Sequence, residues 1–258
     1  MARQTAVDDP ELGALTDDLL TREVRVFQRR KGHRFSSDDV ATAFVAYQAS
    51  PSATRVLDLG CGLGSVLLQL AWKLPRAEVC GVEAQAQSFE LLRRNVARSG
   101  FAERVRVEHG DLRDVELMSR FGVGFDLITG TPPYFPPPAA LTAEDEQRAF
   151  ARIEYRGGIE AYIDAGARLL SDEGALVLCG DARAVQRATA ASARAGLSVH
   201  ARCDVLPRAG RAALFSIWTL KRAVLAVGVS TLSFLTLRSD SGEPTADAQR
   251  LRTFGGFP

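Results

Sequence analysis

The chain has 258 residues, which is enough for one large α/β domain or two smaller ones. Hydrophobic residues make up 46% and charged residues 24%, a balance that excludes a chain disordered throughout. The formal net charge of +1 does not indicate a polyanion-binding protein. No stretch approaches the roughly 20 apolar residues that cross a bilayer, and residues 1–10 lack the pattern of a secretory signal. The sequence therefore predicts a cytoplasmic protein without a membrane span.

Two features precede the first predicted strand. Basic residues are concentrated in one segment, namely Arg22, Arg25, Arg29, Arg30, Lys31, His33 and Arg34. On charge alone, a solvated face is the more common explanation, and a local phosphate-binding patch is the alternative. Residues 35–49 have the apolar spacing of a helix capped by Ser36 or Ser37, and this helix could cover a ligand.

Short apolar runs alternate with amphipathic stretches from Arg55 onward, which is typical of βα units around a parallel sheet. The predicted strands are residues 55–59, 78–82, 104–108, 125–129 and 175–179, and the predicted helices are residues 64–74, 86–98, 159–170 and 182–195. Three later strand-like segments, which we interpret as an antiparallel extension of the same sheet, are residues 197–206, 212–221 and 229–237. The fold class is therefore α/β: a Rossmann-like, doubly wound, mostly parallel sheet with antiparallel C-terminal strands.

A glycine-rich turn follows the first of these strands, in the sequence Asp58-Leu-Gly60-Cys-Gly62-Leu-Gly64. Glycines let the backbone approach a ligand closely. A dinucleotide-binding turn has its third glycine one residue later, and the acidic residue before the first glycine disfavours a pyrophosphate. S-adenosylmethionine carries an ammonium group and a sulfonium instead of phosphates, so Asp58 is suited to bind its ammonium.

Two further acidic residues follow the next two predicted strands. Glu83 ends the second strand, where a carboxylate can accept hydrogen bonds from both hydroxyls of a ribose. Asp111 follows the third strand, where it can accept one from an adenine amino group. Each alone is also explained as a turn former, but three carboxylates along one sheet edge favour an adenosylmethionine site. Residues 55–130 strongly resemble the class I adenosylmethionine-dependent methyltransferases, and the resemblance implies cofactor contacts from Asp58, Gly60, Gly62, Gly64, Glu83, Asp111 and Leu112.

The fourth predicted strand runs directly into Thr131, Pro132, Pro133 and Tyr134. The two prolines fix the backbone, so the carbonyl of Pro132 becomes a rigidly directed acceptor. That carbonyl and the Thr131 side chain can accept both protons of a conjugated amino group, and Tyr134 offers a flat surface to a planar substrate. A stiff loop with a core tyrosine is the structural alternative. The motif resembles the Asn-Pro-Pro-Tyr of enzymes that methylate adenine N6, cytosine N4 or glutamine N5.

More narrowly, the chain resembles the bacterial tRNA adenine-N6 methyltransferases that act next to the valine anticodon. Residues 32–38, Phe135 and the three C-terminal strands carry this resemblance. It implies a tRNA partner whose target base is splayed out and stacked. The implied substrate-binding residues are Phe135, Arg29, Arg30, Lys31, Arg34 and Asp38. Helix capping is an equally good explanation of Asp38.

Thr131 departs from that family, in which asparagine is usual. A threonine hydroxyl can accept a bond from an amino proton, but it is shorter than the amide and lacks the amide's own donor. Three alternative functions stay open: a glutamine-N5 protein methyltransferase, a small-molecule methyltransferase, and a non-catalytic module that holds cofactor and RNA. Only in the last would asparagine at position 131 restore activity.

We predict a single methyltransferase domain over residues 1–238. Residues 1–50 would cover cofactor and substrate, and residues 55–180 would form the cofactor-binding core. Residues 239–258 are polar and are predicted to be a loosely attached tail. The four cysteines and three histidines are scattered, so neither a disulfide framework nor a metal site is predicted.

Overall fold

The computed structural model describes residues 6–137, 145–223 and 231–258. Its strands are β1 Ala6–Asp9, β2 Gly13–Leu19, β3 Arg25–Arg29, β4 Arg55–Leu59, β5 Glu78–Glu83, β6 Val105–His109, β7 Phe125–Gly130, β8 Leu170–Gly180, β9 Leu197–Leu206, β10 Phe215–Arg222 and β11 Thr231–Thr236. Its helices are α1 Ser37–Ala49, α2 Ser65–Lys73, α3 Ala86–Arg98, α4 Val115–Ser119, α5 Glu146–Arg152, α6 Ile159–Leu169, α7 Val185–Arg194 and α8 Ala246–Phe254. None of these helices is long and apolar enough to cross a bilayer.

Within the described ranges, eight strands form the central sheet in the order β11-β9-β10-β8-β7-β4-β5-β6. The five strands from β8 to β6 are parallel, and β10 is antiparallel to both β8 and β9. The predicted fold class is therefore confirmed. The prediction of an antiparallel third C-terminal strand is wrong, because β11 pairs with β9 in parallel. Strands β10 and β11 are consecutive in the sequence and run in opposite directions. They are not neighbours in the sheet, because β9 lies between them and runs parallel to β11. Residues 229 and 230 of that predicted strand lie outside the described residues.

Both faces of the sheet are covered by helices. In β4, Val56 contributes to one core cluster and Leu57 to the other, as expected where successive side chains point to opposite faces. Helices α1, α2, α3 and α8 bury apolar residues on the first side, and α4, α6 and α7 on the second. Burial on both faces explains why these strands are near-continuous apolar runs in the sequence.

The described part of the N-terminal segment forms a separate three-stranded antiparallel sheet, β1-β2-β3, that was not predicted from the sequence. Strand β3, at one edge of this sheet, contacts the core through Asn95 of α3. The Asn95 Oδ1 accepts a 2.7 Å hydrogen bond from the backbone amide of Phe27, and its Nδ2 donates to the carbonyls of Phe27 and Leu63, both at 3.0 Å. This buried amide therefore connects the small sheet to the glycine-rich turn.

The C-terminal segment is not loosely attached, so that prediction is wrong. Residues 246–254 form α8, which buries Leu251 and Phe254. The ring of Phe254 packs edge-on against Phe44, with centroids 5.6 Å apart, and against Tyr47 at 5.9 Å. Two buried apolar residues three positions apart pack an otherwise polar helix against α1, and composition alone hides so narrow a stripe.

Replacing Phe254 by alanine should lower the free energy of unfolding by about 3 kcal/mol, because a buried aromatic ring is lost and a cavity remains. Urea denaturation measures this change. Thr253→Ala, at the exposed neighbouring position, is the matched control and should change it by less than about 0.5 kcal/mol. Equal stabilities for the two variants would show that α8 is only loosely attached.

Candidate active site

The glycine-rich turn follows β4 at the edge where the parallel strands end. Gly60, Gly62 and Gly64 have φ angles of +58°, +55° and +97°, which other residues rarely adopt. A Cβ on Gly64 would lie 2.8 Å from the Leu92 side chain, so the absence of a side chain here lets the turn lie close to α3. A Cβ on Gly62 would meet nothing within 4 Å. The turn is therefore tight on its core side and open at Gly62.

A cleft of about 900 Å³, including the part open to solvent, lies over this turn. Five of the predicted cofactor residues line it: Gly60, Gly62, Glu83, Asp111 and Leu112. Thr131 and Pro133 line the same cleft. The other four predicted cofactor-binding and catalytic residues do not line the cleft, namely Asp58, Gly64, Pro132 and Tyr134. The end of β7 and the glycine-rich turn thus face one shared space.

Asp58 is a buried carboxyl with spare acceptor capacity. It is 2% exposed, and its Oδ1 accepts a 2.7 Å hydrogen bond from the Thr129 hydroxyl. Its Oδ2 is buried without a partner that meets normal hydrogen-bond geometry in the described part of the chain. Burial raises the pKa of Asp58 to about 7, against the opposing effects of Thr129 and the Leu67 amide. A cationic donor beside this group would stabilise its ionised form.

Asp39 is a second buried acid at the cleft, and it was not predicted from the sequence. Its Oδ2 accepts from the Ser36 backbone amide at 2.9 Å, and its Oδ1 accepts from the Ser65 hydroxyl at 2.8 Å. Burial and the nearby charge of Asp38 raise the pKa of Asp39 to about 7. The Ser36-to-Asp39 spacing is a capping signal, and the helix does begin at Ser37 with Ser36 as its N-cap residue. Its second role, facing α2 and the cleft, depends on tertiary packing.

Glu83 and Asp111 differ in their surroundings. Glu83 is buried and accepts backbone hydrogen bonds from Gly62 at 2.8 Å and Gln85 at 2.7 Å, and burial raises its pKa. Asp111 is half-buried, and a bidentate interaction with Arg113 at 2.9 and 2.7 Å lowers its pKa. Glu83 thus resembles Asp39 and Asp58 in being a buried carboxyl with a raised pKa, and none of the three takes part in an ion pair within the described ranges.

The Thr-Pro-Pro-Tyr turn is anchored to the core through the hydroxyl group of Tyr134. The Tyr134 hydroxyl donates to the Asp38 Oδ2 at 3.3 Å and lies 2.7 Å from the Cys179 Sγ. Burial raises the pKa of Tyr134 well above its ordinary value, so the hydroxyl stays neutral. Phe135 is 44% exposed, and its backbone pairs with residues 152–154. Asp38 therefore contacts Tyr134 besides lying in the first turn of α1.

The predicted phosphate-binding residues fall into two groups. Arg29 pairs with Asp145 at 2.9 Å, and Arg34 pairs with Asp18 at 3.0 Å, so both side chains are bound by groups of the chain itself. Arg30 and Lys31 are exposed and form no ion pair with any described residue. The basic segment is therefore partly structural.

Helix α5 closes one side of the cleft, and none of its residues was among the predicted site residues. The Gln147 Oε1 accepts from the His33 amide at 3.2 Å, and its Nε2 donates to the Ser88 hydroxyl at 3.0 Å. A Cβ on Gly32 would lie 2.1 Å from the same Oε1, so this approach requires glycine. Phe150 lines the cleft beneath the guanidinium of Arg156, which lies 4.7 Å from the ring centroid.

Tyr162 of α6 forms the wall beneath the turn. A Cβ on Gly60 would lie 2.2 Å from its hydroxyl oxygen, and one on Gly130 would lie 2.6 Å from its ring. The ends of β4 and β7 therefore need glycine to accommodate this buried side chain. A sequence pattern shows the two glycines, but it does not show the tyrosine that fills the space beside them.

Comparisons with known proteins agree with this architecture. The family model for a methyltransferase domain matches residues 56–152. A predicted O-methyltransferase from Agrobacterium tumefaciens superposes with a TM-score of 0.59 at 19% identity, covering 87% of this chain and 98% of that one. TYW2 of Pyrococcus horikoshii, solved in complex with MeSAdo, superposes with a TM-score of 0.53 at 15% identity, covering 80% and 70%. The family model, together with this fold, thus identifies a class I methyltransferase, a class of enzymes that use S-adenosylmethionine.

Sequence relatives identify the family. The tRNA1(Val) (adenine(37)-N6)-methyltransferase of Yersinia pestis is 30% identical over 194 residues, which cover 74% of each chain. The protein of the same name from Porphyromonas gingivalis is 40% identical over 123 residues, so the match spans about half of each, 47% of this chain and 48% of that one. The chain belongs to the tRNA1(Val) (adenine(37)-N6)-methyltransferase family. The resemblance inferred from the motifs is confirmed.

Proposed function

We propose that the chain methylates N6 of an adenine in tRNA, and that this adenine is position 37 of tRNA1(Val), as the names of its relatives state for them. One observation carries the proposal. Thr131 and Pro133 of the Thr-Pro-Pro-Tyr turn line the same cleft as Gly60, Gly62 and Glu83. An acceptor held at the first group and a methyl donor held at the second would therefore meet in one space.

The charges of the cleft fit a cationic cofactor. Asp39, Asp58 and Glu83 are buried beside the glycine-rich turn, and one oxygen of Asp58 has no hydrogen-bond partner among the described residues. Buried carboxyl groups without basic partners are stabilised by a ligand that brings an ammonium group and hydrogen-bond donors. When bound, S-adenosylmethionine supplies an electrophilic methyl group on a sulfonium. We assign its ammonium to Asp58, its ribose to Glu83, and its adenine to Asp111 and Leu112.

In this proposal, the residues of the chain contribute to the reaction by orienting the amino group that accepts the methyl group. The Pro132 carbonyl and the Thr131 hydroxyl would accept the two protons of the adenine amino group and direct its lone pair into the cleft. Tyr134 would stack on the base. Asp38 and Cys179 contact the Tyr134 hydroxyl and so position its ring. No strong general base is required, because an amino nitrogen that has become cationic can release its proton to water.

The tRNA would approach over Phe135, Arg30 and Lys31, which are exposed. Arg29 and Arg34, by contrast, would act indirectly. The ion pair of Arg29 with Asp145 attaches the start of α5 to β3, and the ion pair of Arg34 with Asp18 attaches the segment before α1 to β2. We further propose that the chain acts in the cytoplasm as one domain. The tail expected over residues 239–258 would then belong to that domain, since α8 packs on α1.

Incubation with labelled S-adenosylmethionine and separate pools of unmodified tRNA, ribosomal RNA and protein tests this function. Nucleoside mass spectrometry should find N6-methyladenosine in the tRNA pool alone. Label in a protein glutamine would overturn the proposed substrate. Thr131→Asn should leave an already active enzyme active, whereas activity that appears only in this variant would identify the natural chain as a non-catalytic binder.

Cofactor affinity should depend on pH near neutrality. The pKa of Asp58 in the free chain is about 7, and an ammonium group binds the ionised carboxylate, so affinity should rise as the pH rises through 7. Between pH 6 and pH 8 we expect about a tenfold gain for S-adenosylhomocysteine, which carries the same ammonium group. Calorimetry at the two pH values measures it. The variant Asp58→Asn should show a flatter dependence, and equal affinities for the natural chain at both values would refute the assignment.

The same pKa shift should make the cofactor-free protein less stable as the pH rises, whereas it makes cofactor binding stronger. The folded-state pKa lies above the ordinary value of 3.8, so the stabilising contribution of protonated Asp58 is complete below about pH 4 and is lost as the pH rises through about 7. Cofactor binding should offset this loss at neutral pH.

A further inference from the structure

The outer face of α5 carries two exposed arginines, Arg148 and Arg152. They lie four residues apart and therefore point to nearly the same side of the helix. Neither forms an ion pair with any residue in 6–137, 145–223 or 231–258. The acidic residue exposed on α5, Glu146, lies about 200° around the helix from Arg148. The two guanidinium groups thus form a local positive surface.

The position of α5 brings this surface next to the basic segment, although more than 110 residues separate the two in sequence. The ion pair between Arg29 and Asp145 fixes the start of α5 against β3, and Gln147 contacts the His33 amide. Arg30 and Lys31 lie between these two attachments. Burial lowers the pKa of His33, and the charges of Arg152 and Arg148 lower it further, against the effect of Asp38, as expected for neighbouring cations.

The same helix ends at the substrate side of the cleft. The Phe135 amide donates to the Arg152 carbonyl at 3.0 Å, and the Glu154 amide donates to the Phe135 carbonyl at 2.9 Å. Phe135 directly follows the Thr-Pro-Pro-Tyr turn. A chain of phosphates that passes Arg148 and Arg152 would therefore run alongside the place where a splayed-out base enters.

We propose that Arg148 and Arg152 form, with Arg30 and Lys31, a continuous phosphate-binding rim that holds the RNA backbone on either side of the target base. This inference rests on the proposed function, because it concerns how the same cleft receives its substrate. Guanidinium groups bind phosphate oxygens in bidentate fashion, and four cations at one rim that form no ion pair with a described residue complement a polyanion. The basic segment supplies half of the surface, and α5 supplies the other half.

The test compares the double variant R148S/R152S with R76S/R168S, which loses the same charge elsewhere. Arg76 is exposed just before β5, and Arg168 is exposed at the end of α6 just before β8, so both lie at the sheet edge opposite the cleft. Binding of an unmodified tRNA transcript is measured by fluorescence anisotropy between about 50 and 200 mM salt. Calorimetry with S-adenosylhomocysteine measures the cofactor site of each variant.

We expect R148S/R152S to bind tRNA about tenfold more weakly than R76S/R168S. The slope of log affinity against log salt concentration should become shallower by about 1.5, because two phosphate contacts are lost. Cofactor affinity should be equal in the two variants. Equal tRNA affinities and equal salt slopes would overturn the rim while leaving tRNA methylation by the natural chain intact. Conversely, a natural chain that methylates no tRNA but still binds it through these arginines would refute the proposed function and support the rim.

Discussion

Replacing Asp58 by asparagine should reduce the affinity for S-adenosylmethionine by about 100-fold or more. The substitution keeps the shape of the side chain and an acceptor for the Thr129 hydroxyl, but it removes the negative charge assigned to the ammonium group. Loss of one partner from a buried charge pair costs about 3 kcal/mol or more, and each 1.4 kcal/mol corresponds to a factor of ten. Calorimetric titration measures the change directly.

Two controls make this result specific. Asp172→Asn removes one negative charge from an exposed position in β8 and should leave the affinity unchanged. Urea denaturation of Asp58→Asn without cofactor should show no loss of stability, because burial already disfavours the ionised form of this carboxyl. An unchanged affinity in the folded variant would show that Asp58 does not contact the cofactor.

Replacing Tyr134 by alanine should lower kcat/KM for tRNA methylation by about 100-fold. Stacking of a base on an aromatic ring contributes about 1–3 kcal/mol, and loss of the ring also removes the surface that aligns the acceptor. Affinity for S-adenosylhomocysteine should stay within about threefold, because Tyr134 is assigned to the acceptor base and follows β7, whereas the glycine-rich turn follows β4. Single-turnover kinetics with one tRNA transcript separates the methyl transfer from product release.

Tyr134→Phe is the matched variant, because it keeps the ring and removes the hydroxyl that contacts Asp38 and Cys179. Its kcat/KM should fall by no more than about tenfold, since positioning is weakened but stacking is kept. If the phenylalanine and alanine variants were equally impaired, the hydroxyl would be the important group and the stacking assignment would be wrong.

The sequence predicted the central sheet well because its strands are buried on both faces. Residues 86–98 and 197–206 were predicted with the bounds that the structure has, and the glycine-rich turn and the Thr-Pro-Pro-Tyr turn lie at the expected strand ends. Apolar runs bounded by turns and Gly-rich sequences are local signals. A parallel sheet then places the ends of its strands at one edge, so the cleft followed from local patterns.

The missed features depend on contacts between distant segments. Asp39 has a sufficient local explanation as a capping residue, and only the packing of α1 against α2 brings it to Ser65. Gln147 reaches His33 from 114 positions away, which no local periodicity records. Strand β3 has three polar or charged residues among five and no alternation of apolar and polar residues, so its sequence carries no strand signal. Helix α8 has only a two-residue apolar stripe.

The most direct test of the central claim uses a valine tRNA transcript with adenine at position 37 and a second transcript in which guanine replaces it. Each is incubated with the chain and labelled S-adenosylmethionine, and the nucleosides are analysed by mass spectrometry. We predict about one N6-methyladenosine per tRNA with the first transcript and none with the second. Equal incorporation into both transcripts, or incorporation into neither, would contradict the account.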